Sequence, residues 1–255
     1  MVTTHIPSGI ASGTATGIGG LPHRDADEAA EFVLGHMGLP AIPTLPRRSP
    51  AEGPIAQAMV GMEGVTVGRL GSIAVDRRRI DALAPVVTDL DHDAFTGFRT
   101  FLAHAAAPRG EAHFSGPVKW EFVGPVTLAM ALVQAGVPMS QACEIAVRRV
   151  RERLQHLMDA VSAALPESRQ VVFIDEPAFA DLMQPGFPLA PDTAIDLVSG
   201  ALAAVETSAV SGLHVCGLAD IASQLAAGPA VLSLAVRPEV AESAGYLMRF
   251  MEHGG

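Results

Sequence analysis

Four apolar residues in a row, Val171-Val172-Phe173-Ile174, run without a break into Asp175-Glu176-Pro177. A continuous apolar run of that length, ended by charge and a proline, is the signature of a strand covered on both faces by helices, hence of a parallel sheet. The same grammar recurs along the chain. Short β-like runs at 14–19, 64–68, 118–123, 171–174, 212–217 and 230–235 alternate with longer stretches of helical character. Strands that alternate with helices of ten or more residues predict βα units.

The predicted helices are Asp27 to Met37, Ile55 to Met62, Asp91 to Ala106, Ser140 to Ala164, Thr193 to Val205, Ala219 to Ala226 and Pro238 to Glu252. In the first, Ala30, Val33, Leu34 and Met37 recur at three- and four-residue intervals and form one apolar face. Thr193 is placed to cap its helix reciprocally with Asp196. The segment Leu39 to Pro54 holds Pro40, Pro43, Pro46, Pro50 and Pro54 and reads as a long ordered loop, because each proline removes an amide donor and restricts its neighbour. Residues 71–90 carry no clear pattern. Six strand–helix periods with no linker between them predict a single α/β domain over 1–255. A closed (β/α)8 TIM-type barrel would need two more periods, roughly 60 or more residues, so the expectation is a barrel of six units that stops at a unit boundary near Gly255.

Charge narrows the partners. The 255 residues carry 17 Lys and Arg against 27 Asp and Glu, a formal net charge of -10, which repels nucleic-acid phosphates and anionic lipid. The basic clusters Arg77-Arg78-Arg79 and Arg148 to Arg153 are short and read as solvated helix surface. No run of 18 apolar residues predicts a membrane span, and the N-terminus lacks the basic and apolar regions of a signal peptide. The two cysteines, Cys143 and Cys216, fit a reduced, cytoplasmic protein.

Ligands of parallel α/β domains meet the carboxyl ends of the strands, and the polar residues concentrate there. Asp175 and Glu176 follow a buried run, so a carboxylate over the sheet can bind an amine or, with its pKa raised by burial, move a proton. The other reading is that the pair caps helix amides. His214 and Cys216 are two residues apart and fall on one strand face, where imidazole and thiolate together suit zinc. A core cysteine beside a hydrogen-bonded histidine is the alternative. Lys119 and Glu121 also share a face, and either contact ligand or neutralise one another. The glycine-rich turn Gly17 to His23 lets backbone amides approach a carboxylate or phosphate, with His23 as a ligand contact or a surface turn residue. It lacks the full dinucleotide fingerprint. Trp120 and Phe122 read as core, and no Gly-x-Ser-x-Gly turn supports a serine hydrolase.

Gly17-Ile18-Gly19-Gly20-Leu21-Pro22, Gly124-Pro125-Val126-Thr127, Ile174-Asp175-Glu176-Pro177 and His214-Val215-Cys216, in that order, resemble the catalytic domain of cobalamin-independent methionine synthase, within the superfamily that includes uroporphyrinogen decarboxylase. The resemblance implies a (β/α)8 barrel and zinc-dependent methyl transfer to a small thiol such as homocysteine. It implies that Asp175 holds the amino group of that thiol, that His214 and Cys216 are two zinc ligands, and that Gly19, Gly20 and Leu21 form the first substrate loop, with glycine where serine is frequent. A third ligand, a glutamate, would stand where this chain has Ala235, and the fourth, a cysteine, lies in a unit beyond residue 255, so the ligand set is incomplete. His214-Val215-Cys216-Gly217 is also similar to corrinoid-dependent thiol methyltransferases, which leaves methylcobalamin on a corrinoid protein or a methylated folate as donor. A homodimer is a further expected partner. The alternatives are a decarboxylase-type enzyme, for which Arg24, Arg47, Arg48 and Lys119 are the available cations, and a small-molecule binder without catalysis.

Overall fold

The protein is described by a computed structural model covering residues 10–108, 114–217 and 219–255. Helix α1 (Ala26–His36) starts where the Asp25 carboxylate accepts the amide hydrogens of Asp27 and Glu28, and buries Ala29, Ala30 and Val33. Helix α2 (Pro54–Met59) is shorter than its pattern predicts and is followed by Gly61 at φ +77°. Strands β1 (Val65–Val67) and β2 (Ile73–Val75) come next, then α3 (Thr96–Ala106), β3 (Val118–Val123), α4 (Pro125–Gln134) and α5 (Met139–Ala164). The chain continues through β4 (Gln170–Asp175), α6 (Pro191–Glu206), β5 (Val210–His214), α7 (Ile221–Ala226), β6 (Val231–Ser233) and α8 (Ala244–Glu252).

The frame is a parallel four-stranded sheet in the order β3-β4-β5-β6, with helices alternating along the chain, an arrangement consistent with part of an α/β barrel. Two extended segments continue it on the β3 side. Leu39 donates its amide to Ala15, Thr44 donates to Gly19, and Leu21 donates back to Thr44. Ile42 donates to Lys119, whose amide returns to Pro40. Thr16, Gly20 and Ala41 thus pair in parallel with Leu39, Thr44 and Lys119 as isolated bridges. Prolines 40 and 43 have no amide hydrogen, which breaks what would be a ladder into single contacts.

This corrects the order read from sequence. The segment at 64–68 is not the second strand of the parallel sheet: β1 pairs antiparallel with β2 in a small hairpin of its own, Val65 opposite Val75. The proline-rich segment, expected to be loop throughout, takes the second place instead. The first strand, expected at 14–19, forms only bridges. Among the described residues no pairing joins the 15–21 segment to β6.

Three further expectations change. Helix α4 has no counterpart in the sequence reading: Pro125 occupies its first turn, and Val126, Leu128, Ala129 and Leu132 are buried, leaving little amphipathic contrast. Helix α6 starts at Pro191 without a side-chain cap, so the Thr193–Asp196 pair does not form. Arg149 and Arg153, read as solvated, are 2% and 0% exposed. Their guanidinium groups donate to the carbonyls of Ala58 and Val60, orphan acceptors at the end of α2, and to that of Val87 in the segment after β2. Trp120 and Phe122 are core residues as expected; the Trp120 indole donates to Gln170 Oε1 at 3.0 Å and meets Phe98 edge-on.

Candidate functional site

Alternation along each strand decides which side chains share a face. On β3 these are Lys119 and Glu121; on β4, Phe173 and Asp175; on β5, Gly212 and His214; on β6, Ser233. Register aligns them in rows, with Asp175 beside His214 and His214 beside Ser233, while Glu121 neighbours Phe173 and Phe173 neighbours Gly212. The missing side chain of Gly212 makes room for that phenyl ring, since a Cβ there would lie 2.7 Å from two ring carbons.

Lys119 is the centre of the group. Its ammonium donates to the carbonyls of Gly17, at 2.8 Å, and Ile18. It stands 3.7 Å from Glu121 Oε2, an ion-pair distance too long for a hydrogen bond, and 4.9 Å from the centre of the Phe173 ring. Burial pushes the lysine pKa down while Glu121 and Asp175 hold it up. The same burial pushes Glu121 up to about 7 and Asp175 up to about 6, with Lys119 opposing both. Glu121 Oε2 and Asp175 Oδ1 are buried and accept no hydrogen bond among the described residues.

The glycine-rich turn is therefore clasped from below. Gly19, at φ +152°, leaves the space that the Glu121 carboxylate fills: a Cβ there would lie 2.8 Å from Oε1. The positive φ favours glycine here, and any side chain would displace that carboxylate. Gly20 is the residue bridged to Thr44. Leu21 and His23 turn toward the helical layer. Leu21 packs with Ala26, Ala29 and Leu45, and the His23 ring lies 5.4 Å from that of Phe32.

Glu176, one residue beyond Asp175, faces the other way and is 0% exposed. Its carboxylate accepts from the Val126 amide at 2.8 Å, the Thr127 amide at 2.7 Å and the Thr127 hydroxyl at 2.6 Å. Burial raises its pKa to about 7 against those bonds. Gly124 makes the contact possible, because a Cβ there would lie 2.2 Å from Glu176 Oε1. The sequences Gly124-Pro125-Val126-Thr127 and Asp175-Glu176 are thus two halves of one contact, in which Glu176 caps the start of α4.

His214 is 8% exposed, and its Nδ1 lies 2.9 Å from the Ser233 hydroxyl. Burial, then the Lys119 charge, push its pKa down, which favours neutral imidazole. Cys216 is exposed beyond the strand end. Among the described residues no group of three or more His, Cys, Asp or Glu side chains is placed to hold a metal ion. His214 and Cys216 offer two donors where a catalytic zinc site uses three protein ligands, so the described residues do not make up that site. Ser233, Phe173 and Gly212 are the members sequence reading missed. The strand-face alternation running from His214 was the available signal for Gly212, whereas Ser233 needed the β6 register.

No protein-family model, curated protein or solved structure matches this chain. Among the described residues no helix is long and apolar enough to cross a membrane.

Proposed function

We propose that this chain is a cytoplasmic enzyme domain built on an arc of a (β/α)8-type barrel, and that it transfers a methyl group to the sulfur of a small amino-thiol of the homocysteine class. The observation that carries the reading is Asp175. A half-buried carboxylate with an orphaned oxygen, at the carboxyl end of a central parallel strand, is costly to the fold unless a cation completes it. A substrate ammonium group supplies that cation.

The charge balance favours this over the decarboxylase alternative. Two carboxylates, Glu121 and Asp175, face one ammonium, and Lys119 already donates to the carbonyls of Gly17 and Ile18 while standing at ion-pair distance from Glu121. Arg48 is committed to Glu52 and Asp93, while Arg24 and Arg47 are exposed. A substrate with several carboxylates would find one buried cation beside Asp175, Lys119, and that cation is already shared with two carboxylates.

In this reading Asp175 orients the substrate through its amine, Lys119 holds the Gly17–Gly20 loop in place, and Glu176 keeps the carboxyl end of β4 fixed by pinning it to α4. The thiol loses its proton to solvent, the sulfur attacks the methyl carbon, and the electron pair of the breaking bond leaves with the donor, as cob(I)alamin or as the demethylated folate amine, which takes up a proton. The donor is methylcobalamin on a corrinoid protein or a methylated folate. Among the described residues His214 and Cys216 are two donors where a catalytic zinc site takes three, so no step is routed through a metal. The test is incubation of the full chain with homocysteine and each donor, with methionine measured by mass spectrometry and zinc by elemental analysis. Product formation that falls at least 100-fold in Asp175→Asn supports the proposal. Folded protein that forms no product with either donor refutes it, and homocysteine binding without turnover points to the binding-protein alternative.

A further inference from the structure

A cavity of about 110 Å³ lies between the loop after β5, helix α7 and the turn at Pro238–Ser243. Apolar walls come from Ile221 and Val240, and the polar side chains are those of Asp220, Gln224, Glu239 and Ser243. Gln224 is the informative member. It is 1% exposed, and its Nε2 donates to the Ala219 carbonyl at 3.3 Å, which fixes the orientation of the amide. Oε1 is left buried with no donor among the described residues. Asp220 uses Oδ2 to accept from the amide and hydroxyl of Ser223, at 2.7 and 2.6 Å. Two carboxylates, an orphaned amide oxygen and a hydroxyl make a doubly negative lining rich in acceptors, which repels anions.

We propose that this cavity binds a hard divalent cation and that Ca2+ is the ion it suits. Carboxylate, amide carbonyl and hydroxyl oxygens are the ligand types Ca2+ takes, in a geometry loose enough for donors drawn from a loop, a helix and a turn. Mg2+ demands near-octahedral order and fits such a set less well. The ligands are all oxygens, so the site is chemically distinct from the His214 and Cys216 pair. The ion ties the β5–α7 loop to the Pro238–Ser243 turn, a segment that buries none of its own residues, and so anchors α8 behind it.

The test uses the full chain stripped with a chelator and titrated with CaCl2 by isothermal calorimetry. One saturable site per chain is expected, with a raised melting temperature and weaker binding of Mg2+. Gln224→Leu and Glu239→Gln should each weaken Ca2+ binding at least tenfold, and Glu252→Gln, on α8, should not. Glu239 is exposed, so its variant carries the test if Gln224→Leu fails to fold. Absence of saturable heat up to about 10 mM, above the weakest range of protein Ca2+ sites, overturns the proposal. So does affinity unchanged in both variants, or saturable binding of methylammonium in preference to Ca2+. Thiolate and imidazole bind Ca2+ poorly, so these readouts are independent of methyl transfer.

Discussion

Replacing Asp175 by asparagine should stabilise the fold, and more so at higher pH. The carboxyl group titrates near 3.8 when unfolded and at about 6 in the folded protein, mainly because burial disfavours its charged form. The folded state therefore binds the proton more tightly. The penalty is absent well below the unfolded pKa, grows as pH rises between the two values, and is complete above the folded one. At roughly 1.4 kcal/mol per pKa unit the full penalty is about 3 kcal/mol, and solvent access to the half-buried side chain brings it to about 2 kcal/mol. Asparagine matches the protonated carboxyl in shape and carries no charge. The variant should gain about 2 kcal/mol at pH 8, about half that at pH 5, and close to nothing at pH 3.5. With a urea m-value of about 3 kcal/mol/M, the midpoint at pH 8 rises by about 0.7 M. Trp120, the single tryptophan and 1% exposed, reports the transition by fluorescence. A variant less stable than wild type at pH 8, or a difference that does not change with pH, would refute the reasoning. The gain in stability should come with loss of ligand binding, as expected where a strained group is kept for function.

Other perturbations separate structural from chemical roles. Glu176→Ala orphans the Val126 and Thr127 amides at the start of α4 and should cost about 3 kcal/mol, read as a fall in melting temperature; lost turnover with unchanged melting would assign Glu176 to chemistry instead. Gly212→Ala pushes a methyl group into the Phe173 ring, where the Cβ would lie 2.7 Å from ring carbons, and should cost about 1–3 kcal/mol in urea unfolding. Wild-type stability there would contradict the packing of Phe173 under the site. Lys119 holds the pKa values of Glu121 and Asp175 down, so Lys119→Met should raise both. The acid limb of substrate affinity then moves to higher pH, and an acid limb that stays in place would contradict the coupling.

Much of the site could be read from residues alone. The unbroken run before Asp175 forces a strand buried on both faces, and the two-residue spacing of Lys119 and Glu121 puts both on one face, which the β3–β4 register makes the face of Asp175. The same alternation implies that Asp175 and Glu176 cannot both face the ligand, an implication that only the contact of Glu176 with Val126 and Thr127 made concrete. Other features lay beyond pattern. The Leu39–Thr44 segment hydrogen-bonds as a strand because its non-proline amides suffice for isolated bridges, although its prolines read as loop. The Val65–Val67 run has strand propensity but pairs locally, and propensity carries no information about the partner. Helix α4 escaped because it buries apolar residues with little contrast between faces. Arg149 and Arg153 looked like surface because their partners, main-chain carbonyls at and beyond the end of α2, leave no trace in side-chain sequence.

The most direct test of the central claim is calorimetric titration of homocysteine and of its analogue lacking the amino group into the full chain at pH 7.5, where Asp175 is ionised. Homocysteine should bind at least tenfold more tightly than the analogue to the wild type, and that preference should vanish in Asp175→Asn. Equal affinity for the two thiols, or a preference that survives the substitution, would contradict the claim that the carboxylate on β4 receives a substrate ammonium group.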